Sequence, residues 1–128
     1  MTDTIMKTID ILRSNGGSVI VNKNLARSIG MDAAIMYSEL VSKFHYFAEK
    51  GQLTDDGYFF NTVENMKVDT TLTDYQQRKA LVKLVKLGLV QQVNRGTPQK
   101  RYFRLDCDEE HLKNIMAKGE TNHYSKNS

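Results

Sequence analysis

Thr73-Asp74-Tyr75-Gln76 constrains the fold more than any other stretch of the chain. A threonine three residues ahead of a glutamine is a capping box. The hydroxyl accepts from the amide three residues on, the glutamine side chain accepts from the threonine amide, and a helix starts there. At 100° per residue, Ala80, Leu81, Leu84 and Leu87 then fall on one side of that helix. Gln76, Lys79, Lys83 and Lys86 fall within about 80° of one another on the other side. Gly88 supplies the positive φ that ends the helix. Leu89-Val90-Gln91-Gln92-Val93 reads as a strand, Asn94-Arg95-Gly96-Thr97-Pro98-Gln99-Lys100 as a turn, and Arg101-Tyr102-Phe103-Arg104-Leu105 as the returning strand.

Upstream, Thr62 caps a brief helix through Val63, Met66 and Val68, and Asp69-Thr70-Thr71 is a polar turn. Residues 62–105 therefore read as helix, turn, helix and hairpin, the order of a winged helix. Ahead of them, Asn22 caps a short helix carrying Leu25, Ala26 and Ile29 that stops at Gly30. Asp32 caps a long one with Ala33, Tyr37, Leu40, Val41, Phe44 and Phe47 at spacings of three and four, and Gly51 as its stop. After Thr54-Asp55-Asp56-Gly57, the run Tyr58-Phe59-Phe60 is a strand. Asp108 caps a last helix whose Leu112, Ile115 and Met116 form a narrow apolar stripe.

The two ends are less determined. Ile5, Ile9 and Leu12 mark one helical face, yet Ile9-Asp10-Ile11 and Val19-Ile20-Val21 around Asn15-Gly16-Gly17 fit a β-hairpin equally well. A short irregular or hairpin arm over residues 1–21 is the preferred expectation. Residues 119–128 have almost no apolar side chain and are expected to form a disordered tail. The expected domain is thus 22–118. It is mainly α within an α+β class: a winged helix-turn-helix with a small antiparallel sheet and an added C-terminal helix.

Charge is segregated along the chain. Between residues 73 and 105 there are eight basic residues and one acid, Asp74, a net +7; the rest carries ten basic and fourteen acidic residues, a net −4. One positive face set against an acidic remainder suits a polyanion, although a solvated helix face beside a basic hairpin gives the same count. Other classes find little support. One cysteine, Cys107, precludes an internal disulfide, and His45, His111 and His123 lie far apart with no second ligand at metal spacing. No phosphate loop, nucleophile elbow or zinc-protease motif is present, so neither enzyme, metal nor cofactor is expected. No apolar run approaches the ~20 residues that cross a bilayer, and a cytoplasmic location is expected.

The partner expected from this arrangement is double-stranded DNA, because a helix fits the major groove and its N-terminal half reaches base edges. That half carries Thr73, Asp74, Tyr75, Gln76, Arg78 and Lys79. Gln76 and Gln77 are of the type that pairs with adenine, and Arg78 or Lys79 with guanine; Gln76 and Lys79 are the favoured readers. Lys83 and Lys86 are placed for phosphates. The hairpin tip offers Arg95, Thr97, Gln99, Lys100 and Arg101, with Arg95 the favoured contact. The 108–118 stripe suits either a homodimer or the closing of its own domain.

Taken together, Val19-Ile20-Val21-Asn22-Lys23 with Leu25, Gly30, Ala33-Ala34-Ile35-Met36-Tyr37-Ser38-Glu39-Leu40, the Thr54-Asp55-Asp56-Gly57-Tyr58-Phe59-Phe60 strand and Leu72-Thr73-x-x-Gln76 with Leu84-Val85-Lys86-Leu87-Gly88-Leu89-Val90 carry a family likeness. This pattern resembles the N-terminal winged-helix domain of replication initiators and replisome organisers, DnaD-like and plasmid RepA-like, of Gram-positive plasmids and phages. The resemblance covers roughly residues 19–105. It implies binding to repeated origin sites through the helix at Thr73 and the wing at 95–100, often as a dimer. Such initiators continue into a C-terminal domain that engages replisome proteins, whereas this sequence stops at Ser128: a piece of a longer protein, or a short member that only binds. A winged-helix transcriptional regulator and a winged-helix protein-interaction module are the alternative readings.

Overall fold

The computed structural model describes residues 2–106 and 108–127, with side chains as far as residue 121. Helices α1 (Thr2–Ser14), α2 (Lys23–Ile29) and α3 (Met31–Glu49) precede strand β1 (Phe59–Phe60). Helices α4 (Val63–Thr70) and α5 (Asp74–Lys86), the hairpin β2 (Val90–Arg95) and β3 (Lys100–Leu105), and α6 (Glu109–Asn127) complete the chain. The fold is mainly helical, with a helix-turn-helix and a small antiparallel sheet in winged-helix order. β3 lies in the middle of that sheet, pairing Phe103 with Phe59 of β1 and with Gln92 of β2.

The element starts follow local chemistry. Asn22 Oδ1 accepts from Leu25 N at 2.9 Å, Thr62 Oγ1 from Asn65 N at 2.9 Å, and Asp108 Oδ1 from His111 N at 2.7 Å. Each satisfies an amide that a helix start leaves without an intrahelical partner. α3 begins one residue before the expected cap: Gly30, at φ 92°, ends α2 and serves as N-cap of α3, so the two helices share a corner that only glycine adopts readily. The α4–α5 turn is equally defined. Thr71 takes the left-handed region at φ 67°, and its amide reaches Lys67 O, while Thr70 Oγ1 accepts from Leu72 N.

The core lies between α3, α5 and the sheet, where Met36, Leu40, Phe59, Met66, Leu84 and Phe103 are fully buried. Phe59 is its hinge point, with Phe47, Phe103 and Phe44 ring centroids 6.0, 6.2 and 6.3 Å away. Aromatic packing at these distances fixes β1 under α3 and thereby sets where α4 starts.

Both ends differ from expectation. Residues 2–14 are helix, not hairpin. The helix places Asp3 in its first turn and Arg13 in its last, matching the dipole, and Gly16 and Gly17 at positive φ end it. A hairpin needs a partner strand, and residues 18–22 pair with nothing among the described residues. At the other end α6 runs through 119–127, where a disordered tail was expected. Sequence composition missed the cause: Gly119 is buried against α2, and a Cβ there would collide with the Asn24 carbonyl. Close approach of two backbones takes the place of apolar side chains. α2 also covers Ile115, and Leu112 and Met116 pack on the same core, so the 108–118 stripe closes its own domain.

Candidate nucleic-acid interface

The capping box orients the start of α5 and engages Gln76, one of the two favoured readers. Thr73 N donates to Gln76 Oε1 at 2.9 Å and Gln76 N donates to Thr73 Oγ1 at 3.2 Å. Bidentate pairing with adenine needs the amide oxygen and nitrogen of a glutamine together, and here the oxygen already holds the helix start. Gln77, the second glutamine expected to suit adenine, is 1% exposed. Its Nε2 donates to Val63 O at 3.1 Å and Leu72 O at 3.0 Å, clamping α5 to the start of α4 and to the turn.

The same glutamine fastens the hairpin. Arg101 Nη2 donates to Gln77 Oε1 at 3.0 Å and Arg101 Nε to Asn61 O at 3.1 Å, while Asn61 N donates to Arg101 O. Burial pulls the Arg101 guanidinium down to about 10, with Asp74 acting against that, so it remains a cation at neutral pH. Arg101 was expected at the hairpin tip; its fork points inward and ties β3 to the helix-turn-helix. Asp74 stands in the first turn of α5, where the dipole favours a carboxylate.

With Gln77, Ala80 and Leu84 buried, the outermost ridge of α5 is Tyr75, Arg78, Lys79, Val82 and Lys86. Its centre is turned about 60° from the Gln76–Lys83 face expected from apolar spacing, because a polar residue, Gln77, belongs to the buried side. Tyr75 is 61% and Val82 69% exposed, and Lys79 Nζ stands 5.4 Å from the centroid of the Tyr75 ring. Arg78, Lys79 and Lys86 enter no ion pair among the described residues. Lys83 lies at the flank of the ridge and donates to Ile29 O, the C-terminal end of α2, at 2.9 Å. Between that corner and the ridge lies an open groove of about 780 Å³, lined by residues 29–33 and by Thr73, Tyr75, Gln76, Lys79, Ala80 and Lys83.

The hairpin holds its cations differently. Arg95 donates to both carboxylate oxygens of Asp56, at 3.1 and 2.5 Å, and lies 4.4 Å from the Tyr58 ring centroid. Asp56 is held well below the usual carboxylate range, first by Arg95 and then by the Thr54 hydroxyl 2.6 Å away. Arg104 pairs with Asp106 at 2.6 Å and covers the other part of Tyr58. Lys100 has no acidic partner among the described residues and stands 5.1 Å from the Phe60 ring, and Thr97 and Gln99 are exposed at the tip. The favoured wing contact is therefore neutralised by a residue 39 positions earlier. The only sequence signal for it is the Thr54-x-Asp56-Gly57-Tyr58 turn, whose acid sits next to an aromatic strand.

No family model and no curated protein matches the chain. Its fold does match solved structures. One is an N-terminal domain of a DNA-binding protein, at TM-score 0.56 and 17% identity, over 84% of this chain and 88% of that one. Another belongs to a Rep–DNA complex, at TM-score 0.52 and 19% identity, over 82% of this chain and 78% of that one. At such identities the likeness shows a shared fold.

Proposed function

We propose that this chain is the double-stranded DNA-binding module of a replication initiator, placing α5 in the major groove and the β2–β3 hairpin beside it, with no catalysis of its own. The observation that carries this reading is the outer ridge of α5, where Arg78, Lys79 and Lys86 project without acidic partners among the described residues, on a helix clamped by Gln77. A fixed helix with unpaired cations suits phosphate contact and groove reading together. The likeness of fold to a domain of a DNA-binding protein and to a Rep–DNA complex supports the same conclusion. Recognition of iterated origin sites and a role on plasmids or phages belong to the proposal. So do contacts with replisome proteins where the sequence forms part of a longer chain.

Titration of a fluorescent duplex at several salt concentrations tests the reading. If Lys79, Lys83, Lys86 and Lys100 each neutralise a phosphate, log K falls against log salt with a slope of about −3.5 to −4. A slope near zero sinks it. Duplexes selected from a random pool then separate initiator from regulator: iterated sites favour the former, a palindrome over a promoter the latter. Two copies on linked sites would bind more tightly than one; Ile115 is taken up by the domain's own core, and Leu112 and Met116 are only partly covered.

A further inference from the structure

The ridge of α5 contains a feature that phosphate binding does not use. Val82 is 69% exposed in the third turn of the helix, on nearly the same line as Tyr75, seven residues earlier. A β-branched residue here contributes less to helix propensity than the lysines beside it, and an outward-facing position on a surface helix is ordinarily polar. Arg78, Lys79 and Lys86 surround the two apolar side chains. A second copy of this chain packed across the ridge by two-fold symmetry would bring those cations against their own counterparts. A surface that is anionic at its edges and apolar at isolated points inside matches better.

The major groove of DNA has that character: phosphates flank it, and the C5-methyl group of thymine is the apolar group on its base edges. Resting on the DNA-binding reading above, we propose that Val82, with Tyr75, determines sequence preference by contacting thymine methyl groups. Seven residues of helix rise span about 10 Å, or about three base-pair steps at 3.4 Å. Two methyl-sensitive positions about three base pairs apart are therefore expected.

The test uses a duplex selected from a random pool by the whole chain, in which each thymine is replaced in turn by deoxyuridine, removing only the methyl group. At the thymine that Val82 contacts, the change weakens the intact protein about three- to fivefold, the worth of one buried methyl. Val82→Ser binds the thymine and uridine duplexes alike, near the intact protein's affinity for uridine. Because Val82 is exposed, the variant keeps its fold, which far-ultraviolet circular dichroism verifies. The inference is overturned if no uridine substitution weakens the intact protein, or if Val82→Ser retains the sensitivity. It is overturned too if the substitution instead dissociates a dimer in sedimentation. Salt-dependent duplex binding that survives any of these results leaves the DNA reading standing, whereas absence of duplex binding removes both.

Discussion

Helix α5 and the β2–β3 hairpin carry four basic residues each and are unlike in structure. On α5, three cations project from the ridge without an acidic partner among the described residues, and Lys83 is bonded to a neutral carbonyl. On the hairpin, Arg95 and Arg104 are matched by Asp56 and Asp106, and Arg101 is turned into the interior, leaving Lys100. A count of charges along the chain treats these regions as one basic surface. The field a polyanion would meet comes mostly from α5, and the hairpin cations without a carboxylate partner among the described residues are Lys100 and the inward-turned Arg101.

The largest expected effect lies where the two regions join. Arg101→Ala leaves Gln77 Oε1 without its partner in the interior and is expected to cost about 1–3 kcal/mol in urea unfolding. Arg101→Lys recovers little, since a single ammonium cannot replace a fork that meets two acceptors. If Arg101→Ala proves neutral, the hairpin is not fastened to α5 in the way described.

Next in size is the contrast between the regions themselves. Lys79→Ala is expected to weaken duplex binding about fivefold at 0.15 M salt, on cognate and random sequences alike, whereas Arg95→Ala changes it little. Asp56→Asn, which releases Arg95, is expected to strengthen binding about two- to fivefold and to steepen the salt slope by about 0.9. An unchanged slope in Asp56→Asn would show that Arg95 cannot reach DNA even when free. The pairing has a pH signature as well. The Asp56 carboxyl is depressed in the fold, so its contribution is full above the ordinary value of 3.8 and fades only as pH falls below it. Carboxyl chemical shifts followed by NMR should accordingly place Asp56 below its ordinary midpoint in the intact protein and closer to it in Arg95→Ala.

The smallest effect expected is that of Gln76→Ala, about 0.5–1 kcal/mol of stability through loss of half the capping box, with base preference unchanged. A shift in the sequences selected from a random pool would return Gln76 to the set of readers.

Helix starts and stops were legible because they are written within three or four residues. Asn22, Thr62 and Thr73 cap as their side chains dictate, and Gly30 and Gly88 end helices as their freedom allows. The order of elements from α2 through β3 followed from those signals. What escaped was pairing across distance. Asp56 meets Arg95 39 positions later and Gln77 meets Arg101 24 positions later, and neither pair leaves a local trace. The phase of α5 was missed for a related reason: apolar spacing locates a buried face only when that face is apolar, and Gln77 sits inside as a polar clamp. The Thr73–Gln76 box was visible at once, but its consequence for base reading was not, since one side chain cannot serve both tasks with the same oxygen.

The crossing of α6 over α2 at Gly119 has a bearing on how this molecule can vary. A joint made of side chains admits many compensating substitutions, but one made of two backbones with no clearance between them admits a single residue type at the crossing. Gly119→Ala would act as a wedge, prying α6 from α2 at a place remote from both the ridge and the hairpin. The apolar stripe of Leu112, Ile115 and Met116 can be repacked in many ways, whereas the crossing beyond it tolerates no added methyl group.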